Sequence, residues 1–205
     1  MDPLGGLDLY SASKAAAELV AASFFTGAAG HPARVATVRA GNVIGGGDWA
    51  TDRLVPDCVR AFMRQAPVVL RFPHAVRPWQ HVLEPLAGYL QLAEHLLASS
   101  DESLARAWNF GPAASGDATA GELAATLARV WGAGARVESA PSADHPHEAG
   151  LLRLDSTLAR TVLDWQPRWS LAQTVAWYQA WLRGADMTAF SFAQIHAYET
   201  TDPTR

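Results

Sequence analysis

Tyr10-Ser11-Ala12-Ser13-Lys14 opens a run of helix formers that continues to Phe25, and Arg34-Val35-Ala36-Thr37-Val38-Arg39-Ala40 follows as a short β-branched segment. β-branched residues crowd a helical turn but pack well on a pleated surface, so the second stretch reads as a strand. A helix feeding a strand is the unit of crossover folds, and it recurs outward along the chain. Leu54 to Gln65 reads as a helix with Pro56 in its first turn, Val68-Val69-Leu70 as a strand, and Trp79 to Leu83 as another. A helix from Pro85 to Ala98 leads into the strand Trp108-Asn109-Phe110, which Gly111-Pro112 turns. Thr119 with Glu122, and Ser170 with Gln173, have capping-box spacing; the first opens a helix through Val130 and the second a helix through Leu182. Between them, Leu151 to Asp155 reads as a strand, with Asp155 or Ser156 capping a short helix. The fold class is α/β, without internal repeats.

Lys14 is the only lysine among the 16 cationic side chains, so arginine performs every other cationic task. An ammonium is a compact charge with rotatable donors, able to reach a hydroxyl while lying beside a ring. Residues four apart share a helical face, which lets the Tyr10 hydroxyl and the Lys14 ammonium converge. A cation stabilises a phenolate, and a phenolate so held can take the proton of an alcohol as hydride leaves the adjacent carbon. Tyr10 and Lys14 are therefore the candidate catalytic residues. The same spacing also suits an ordinary amphipathic helix in which Tyr10 packs and Lys14 is solvated.

With 205 residues, 49% of them hydrophobic, the chain can bury one core, or most of one together with a small lobe. Sixteen basic and 20 acidic residues give a net charge of -4 with no run of arginines, which argues against a nucleic-acid partner. No apolar stretch reaches membrane-spanning length, so no membrane partner is expected, and Met1-Asp2-Pro3 begins an acidic, turn-like segment unlike a signal peptide. The single cysteine, Cys58, cannot form an internal disulfide. These features together read as a soluble cytoplasmic protein.

Gly41-Asn42-Val43-Ile44-Gly45-Gly46-Gly47 follows a strand and has glycine spacing associated with dinucleotides. A pyrophosphate-binding turn opens directly into a helix, whereas these glycines run into the polar stretch Asp48 to Arg53. The segment reads instead as a loop whose bare backbone and Asn42 side chain approach a ligand. Arg71 and Arg77 flank a proline-containing loop and have the forked donors that suit phosphate, although surface arginines are also common. His145-Pro146-His147-Glu148 lacks a credible third or fourth metal ligand nearby, so no metal is expected. His81 and Glu84 suit a structural role as readily as a functional one.

With these residues in view, the chain resembles the nucleotide-sugar dehydratases of the extended short-chain dehydrogenase/reductase family. The resemblance is carried by Asp2 to Gly6, Tyr10 to Lys14, Arg39 to Trp49, Asp52 to Pro56, Arg77 to Pro85, Trp108 to Pro112, His145 to Glu148 and Leu163 to Trp169. It implies the C-terminal part of a doubly wound, Rossmann-type parallel sheet plus a small α/β substrate-binding lobe, with the N-terminal cofactor-binding half absent. On that division, residues 1–40 and parts of 70–115 are the sheet remainder, 41–70 and 115–185 mainly the substrate lobe, and 186–205 a tail. The implied cofactor is NAD, contacted by Tyr10, Lys14, Ala40 and Val43; the implied substrate is a nucleotide sugar, contacted by Asn42, Arg53, Arg77 and His147. Tyr10 would deprotonate the sugar 4-hydroxyl, and the complete enzyme would be a homodimer through the Tyr10/Lys14 helix. Roughly 150 upstream residues of the family have no counterpart here, so this chain alone is expected to turn over little. Another nucleotide-sugar reaction such as 4-epimerisation, or a non-catalytic fragment that binds a nucleotide sugar or a full-length subunit, stands as the alternative.

Overall fold

A helix begins where the Asp8 carboxylate accepts hydrogen bonds from the Ser11 amide at 2.9 Å and hydroxyl at 2.6 Å. In the computed structural model, which describes residues 4–6, 8–25, 33–113, 117–140, 150–183 and 186–202, this is α1 (Leu9–Phe25). It leads to β1 (Thr37–Ala40) and, one residue later, β2 (Asn42–Ile44). β1 pairs in parallel with β5 (Ala107–Phe110), whereas β2 pairs in parallel with β4 (Val76–His81). Gly41 is where the chain leaves one neighbour for the other: a Cβ there would stand 2.3 Å from the Pro78 carbonyl oxygen. On its other edge β4 pairs antiparallel with β6 (Asp117–Thr119), and β3 (Pro67–Leu70) pairs in parallel with β7 (Arg136–Ser139).

Helices complete two cores. α2 (Leu54–Met63) buries Val55, Cys58, Val59 and Phe62, the spacing of one helical face. Its core also takes Ile44, Leu123 from α4 (Ala120–Trp131), and Val175 and Tyr178 from α6 (Leu171–Arg183). The second core gathers Leu92 from α3 (Leu83–Ala98), Trp108 and Phe110 from β5, and Ala159 from α5 (Thr157–Val162), with Leu163 and Trp165 beyond it. Each fully buried large side chain of this kind contributes about 1.5–3 kcal/mol. Gln80 joins the β2–β4–β6 sheet to the β1–β5 pair by donating to the Phe110 carbonyl at 2.9 Å.

Both expected capping boxes are present. Thr119 and Glu122 exchange bonds at the start of α4, and Gln173 accepts from the Ser170 amide at 2.8 Å ahead of α6. Other expectations need correction. Leu151 to Asp155 is not a strand: among these residues only Leu151 forms a bridge, to Val76. Ser156 precedes α5 but accepts from the Gly111 amide at 2.7 Å, which ties β5 down, while Asp155 takes the Thr157 amide. Residues 187–200 are not a tail but α7 (Met187–Thr200), capped by the Asp186 carboxylate.

Fully buried Glu84 holds α7 both directly and through Arg168. Its carboxylate accepts from the Arg168 amide, from the Trp169 amide at 2.7 Å and from the Tyr198 hydroxyl at 2.7 Å. The Arg168 guanidinium then donates to the carbonyls of Tyr198 and Glu199 at the C-terminal end of α7. His81 is also fully buried, with its ring edge against Trp169, and burial pushes its pKa down to about 4. Both residues that looked ambiguous in the sequence thus sit in the framework.

Candidate active site

The cleft forms where β2, β4 and β3 end near the start of α2. It has a volume of about 230 Å³ and takes Asn42 and Val43 from β2, Arg53 ahead of α2, Arg71 after β3 and Arg77 from β4. Three guanidinium groups and a side-chain amide converge although they lie up to 35 positions apart. The α2 N-terminus opens here without a side-chain cap, so its first backbone amides add donors suited to an anion. Asp48, Asp52 and Asp57 also line the cleft, but each is engaged. Asp57 pairs with Arg60, Asp48 accepts from the Ala50 amide at 3.0 Å, and Asp52 lies 3.8 Å from Arg71. Arg77 is buried and donates to the Val76 carbonyl at 2.8 Å, whereas Arg53 and Arg71 are exposed.

Tyr10 and Lys14 lie on α1 and do not line this cleft. They converge as their spacing requires: Lys14 Nζ lies 5.6 Å from the centroid of the Tyr10 ring, within cation–π reach. Tyr10 is 72% exposed, so the alternative in which it packs into the core does not hold. Glu18, one turn beyond Lys14 on the same stripe, fixes the helix to β1. It accepts from Arg39 Nε at 2.7 Å and from the Thr37 hydroxyl at 2.9 Å, and the bond from Arg39 holds its carboxyl below the usual carboxylate range. Glu18 escaped the sequence reading, although its four-residue offset from Lys14 was a usable signal.

The glycine segment borders the cleft at Asn42, Val43, Ile44 and Gly45, while part of its backbone also meets protein: Cβ atoms at Gly45 and Gly46 would lie 2.7 Å from Val82 and 2.4 Å from Trp181. Close packing explains these glycines as it explains Gly41. Ala40 ends β1 and does not line the cleft, while Val43 does. His147, with His145 and Glu148, lies outside the described residues. Among the described residues no group of three or more His, Cys, Asp or Glu side chains is placed to hold a metal, and no helix is long and apolar enough to cross a membrane.

No family model matches the chain. A CDP-glucose 4,6-dehydratase from Salmonella typhimurium is 44% identical over 207 residues, covering 96% of this chain and 57% of that protein. The chain thus spans little more than half the length of this relative. A double mutant of DesIV, a dTDP-glucose 4,6-dehydratase from Streptomyces venezuelae with NAD and DAU bound, superposes with a TM-score of 0.72 at 23% identity, covering 89% of this chain and 53% of that one. A UDP-glucuronic acid 4-epimerase from Bacillus cereus, in complex with UDP-glucuronic acid and NAD, gives 0.67 at 15% identity, with coverages of 89% and 57%. At these identities the structural likeness is one of fold. The chain is therefore similar in sequence to a CDP-glucose 4,6-dehydratase over nearly all of its own length, and in fold to a dTDP-glucose 4,6-dehydratase and a UDP-glucuronic acid 4-epimerase.

Proposed function

We propose that this chain carries the proton-transfer pair and the sugar-diphosphate cleft of an NAD-dependent dehydratase that converts CDP-glucose to CDP-4-keto-6-deoxy-glucose. The observation that carries this reading is the convergence of Asn42, Arg53, Arg71 and Arg77 on one cleft beside the uncapped start of α2. Guanidinium forks and helix-terminal amides suit a diphosphate. At about 230 Å³ the cleft is smaller than the ~300 Å³ at which drug-sized sites begin, and Tyr10 does not line it, so it takes the diphosphate and leaves the reacting part of the hexose and the base outside. The similarity to a CDP-glucose 4,6-dehydratase supports cytosine as that base.

In this reading the Tyr10 phenolate, stabilised by Lys14, takes the proton of the sugar 4-hydroxyl, and Lys14 would also donate to the nicotinamide ribose. Asn42 orients the sugar, Arg53, Arg77 and His147 hold the diphosphate, and Ala40 and Val43 border the nicotinamide. Bound NAD would supply the hydride acceptor, and later the hydride donor, for the dehydration. The described residues fit the nicotinamide end of NAD, since Lys14 presents exposed donors beside the Tyr10 ring. They offer no pyrophosphate cradle, because Gly41, Gly45 and Gly46 are closed by Pro78, Val82 and Trp181. Turnover by this chain alone is accordingly slow or absent. The wider assignment places the enzyme in the cytoplasm, as a homodimer through α1, supplying sugars for bacterial surface polysaccharide such as O-antigen. The division into a sheet remainder (1–40, parts of 70–115) and a substrate lobe (41–70, 115–185) belongs to the same proposal.

The test adds CDP-glucose and NAD to the chain and follows both binding and the mass of the nucleotide sugar. Saturable binding supports the cleft assignment, and a product lighter by one water supports dehydration. A product of unchanged mass replaces dehydration with epimerisation, and absence of binding overturns the reading.

A further inference from the structure

Tyr178 lies on α6, is 2% exposed, and yet lines the arginine cleft. Its hydroxyl oxygen is buried and has no hydrogen-bond partner among the described residues. Trp79, another buried aromatic of the cleft wall, behaves differently: its indole nitrogen donates to the Ala118 carbonyl at 3.1 Å. The Tyr178 ring stacks on Trp181 and its neighbours are core residues, so a phenylalanine would satisfy the packing equally well. Among the described residues the hydroxyl thus has nothing to donate to. Asp48 is the nearby anionic side chain, and its carboxylate is engaged by the Ala50 amide.

We infer that the Tyr178 hydroxyl is a further substrate-positioning donor, hydrogen-bonding an oxygen of the sugar diphosphate that settles on the floor of the cleft; the inference rests on the proposed nucleotide-sugar reading. A buried donor without an internal acceptor is the arrangement that favours an occupant bringing its own oxygen, because that occupant alone removes the unmet hydrogen bond. Burial pushes the phenol up to about 12, so the group stays a neutral donor throughout the neutral range. Asn42 and the arginines approach the same volume.

Tyr178→Phe tests this with two readouts, thermal unfolding of the free chain and titration with CDP-glucose. The free variant should melt at or above the wild-type temperature, because no internal bond is lost. Its affinity for CDP-glucose should fall about tenfold, the effect of one hydrogen bond to a charged acceptor. Affinity within about twofold of wild type would overturn the inference, as would a lowered melting temperature, which would give the hydroxyl a role in the fold. If the wild-type chain itself fails to bind CDP-glucose, the nucleotide-sugar reading fails first. Titration with CDP alone then locates the donor: an equal loss places it at the diphosphate, and no loss places it at the hexose.

Discussion

Replacing Glu84 separates the two things its carboxylate does: accept hydrogen bonds and carry charge. In Glu84→Ala the Arg168 amide, the Trp169 amide and the Tyr198 hydroxyl all lose their acceptor inside the protein. At about 1–3 kcal/mol for each stranded donor, the loss is on the order of 3–9 kcal/mol, a large share of the 5–15 kcal/mol that holds a typical domain. Glu84→Gln keeps an amide oxygen for the two backbone donors and turns its NH2 toward Tyr198, whose hydroxyl can accept, so it should cost only about 1 kcal/mol. The charge has a separate signature. Desolvation raises the Glu84 pKa above its ordinary 4.5, against the hydrogen bonds from Tyr198, Trp169 and Arg168 that lower it. A folded-state pKa above the unfolded one gives stability that is complete below about pH 4.5 and is lost as pH rises through the folded value. Wild type should therefore lose stability relative to Glu84→Gln as pH rises from 4.5 toward neutrality. Urea unfolding at several pH values, followed by tryptophan fluorescence, reads both effects, because the Trp169 amide donates to the carboxylate and the Trp165 indole to the Glu84 carbonyl. Equal stability of the alanine and glutamine variants, or a pH-independent gap between wild type and glutamine, would refute the argument.

Cys58 is buried on α2, and burial followed by the nearby Asp57 charge pushes its thiol up to about 12. It should resist a disulfide-exchange reagent at pH 8 and react fully in guanidinium; reaction of the folded protein at the rate of a free thiol would contradict the packing. Gly41→Ala places a methyl group 2.3 Å from the Pro78 carbonyl, so thermal melting should register a loss of at least about 1–3 kcal/mol. Wild-type stability in that variant would show that the strand exchange at Gly41 is looser than described.

Much of the framework was legible because it rests on local chemistry. Thr119 with Glu122 and Ser170 with Gln173 satisfy helix-start amides wherever the chain runs next, and α2 shows its buried face in the spacing of Val55, Cys58, Val59 and Phe62. β2 and β6 are three residues each, too short for a periodic signal, and β2 exists because Asn42 to Ile44 align with Trp79 to His81. α7 is hidden because its anchors, Glu84 and Arg168, are distant in sequence. Asn42, Arg71 and Arg77 stood out as residue types and Arg53 through the resemblance, but only the tertiary fold reveals that they share one cleft with Tyr178. Tyr178 carried no signal at all, since a tyrosine on a helix beside Trp177 and Trp181 reads as core.

Titration of the chain with CDP-glucose, beside Tyr10→Phe, Arg53→Met and Arg77→Met, tests the central claim most directly. Arg53 is exposed, so its variant remains informative if loss of buried Arg77 disturbs the fold. The account predicts saturable binding that Tyr10→Phe leaves within about twofold and that each arginine variant weakens about tenfold or more, the scale of a charged hydrogen bond. Binding that is absent in the wild type, or indifferent to both arginines, would contradict it.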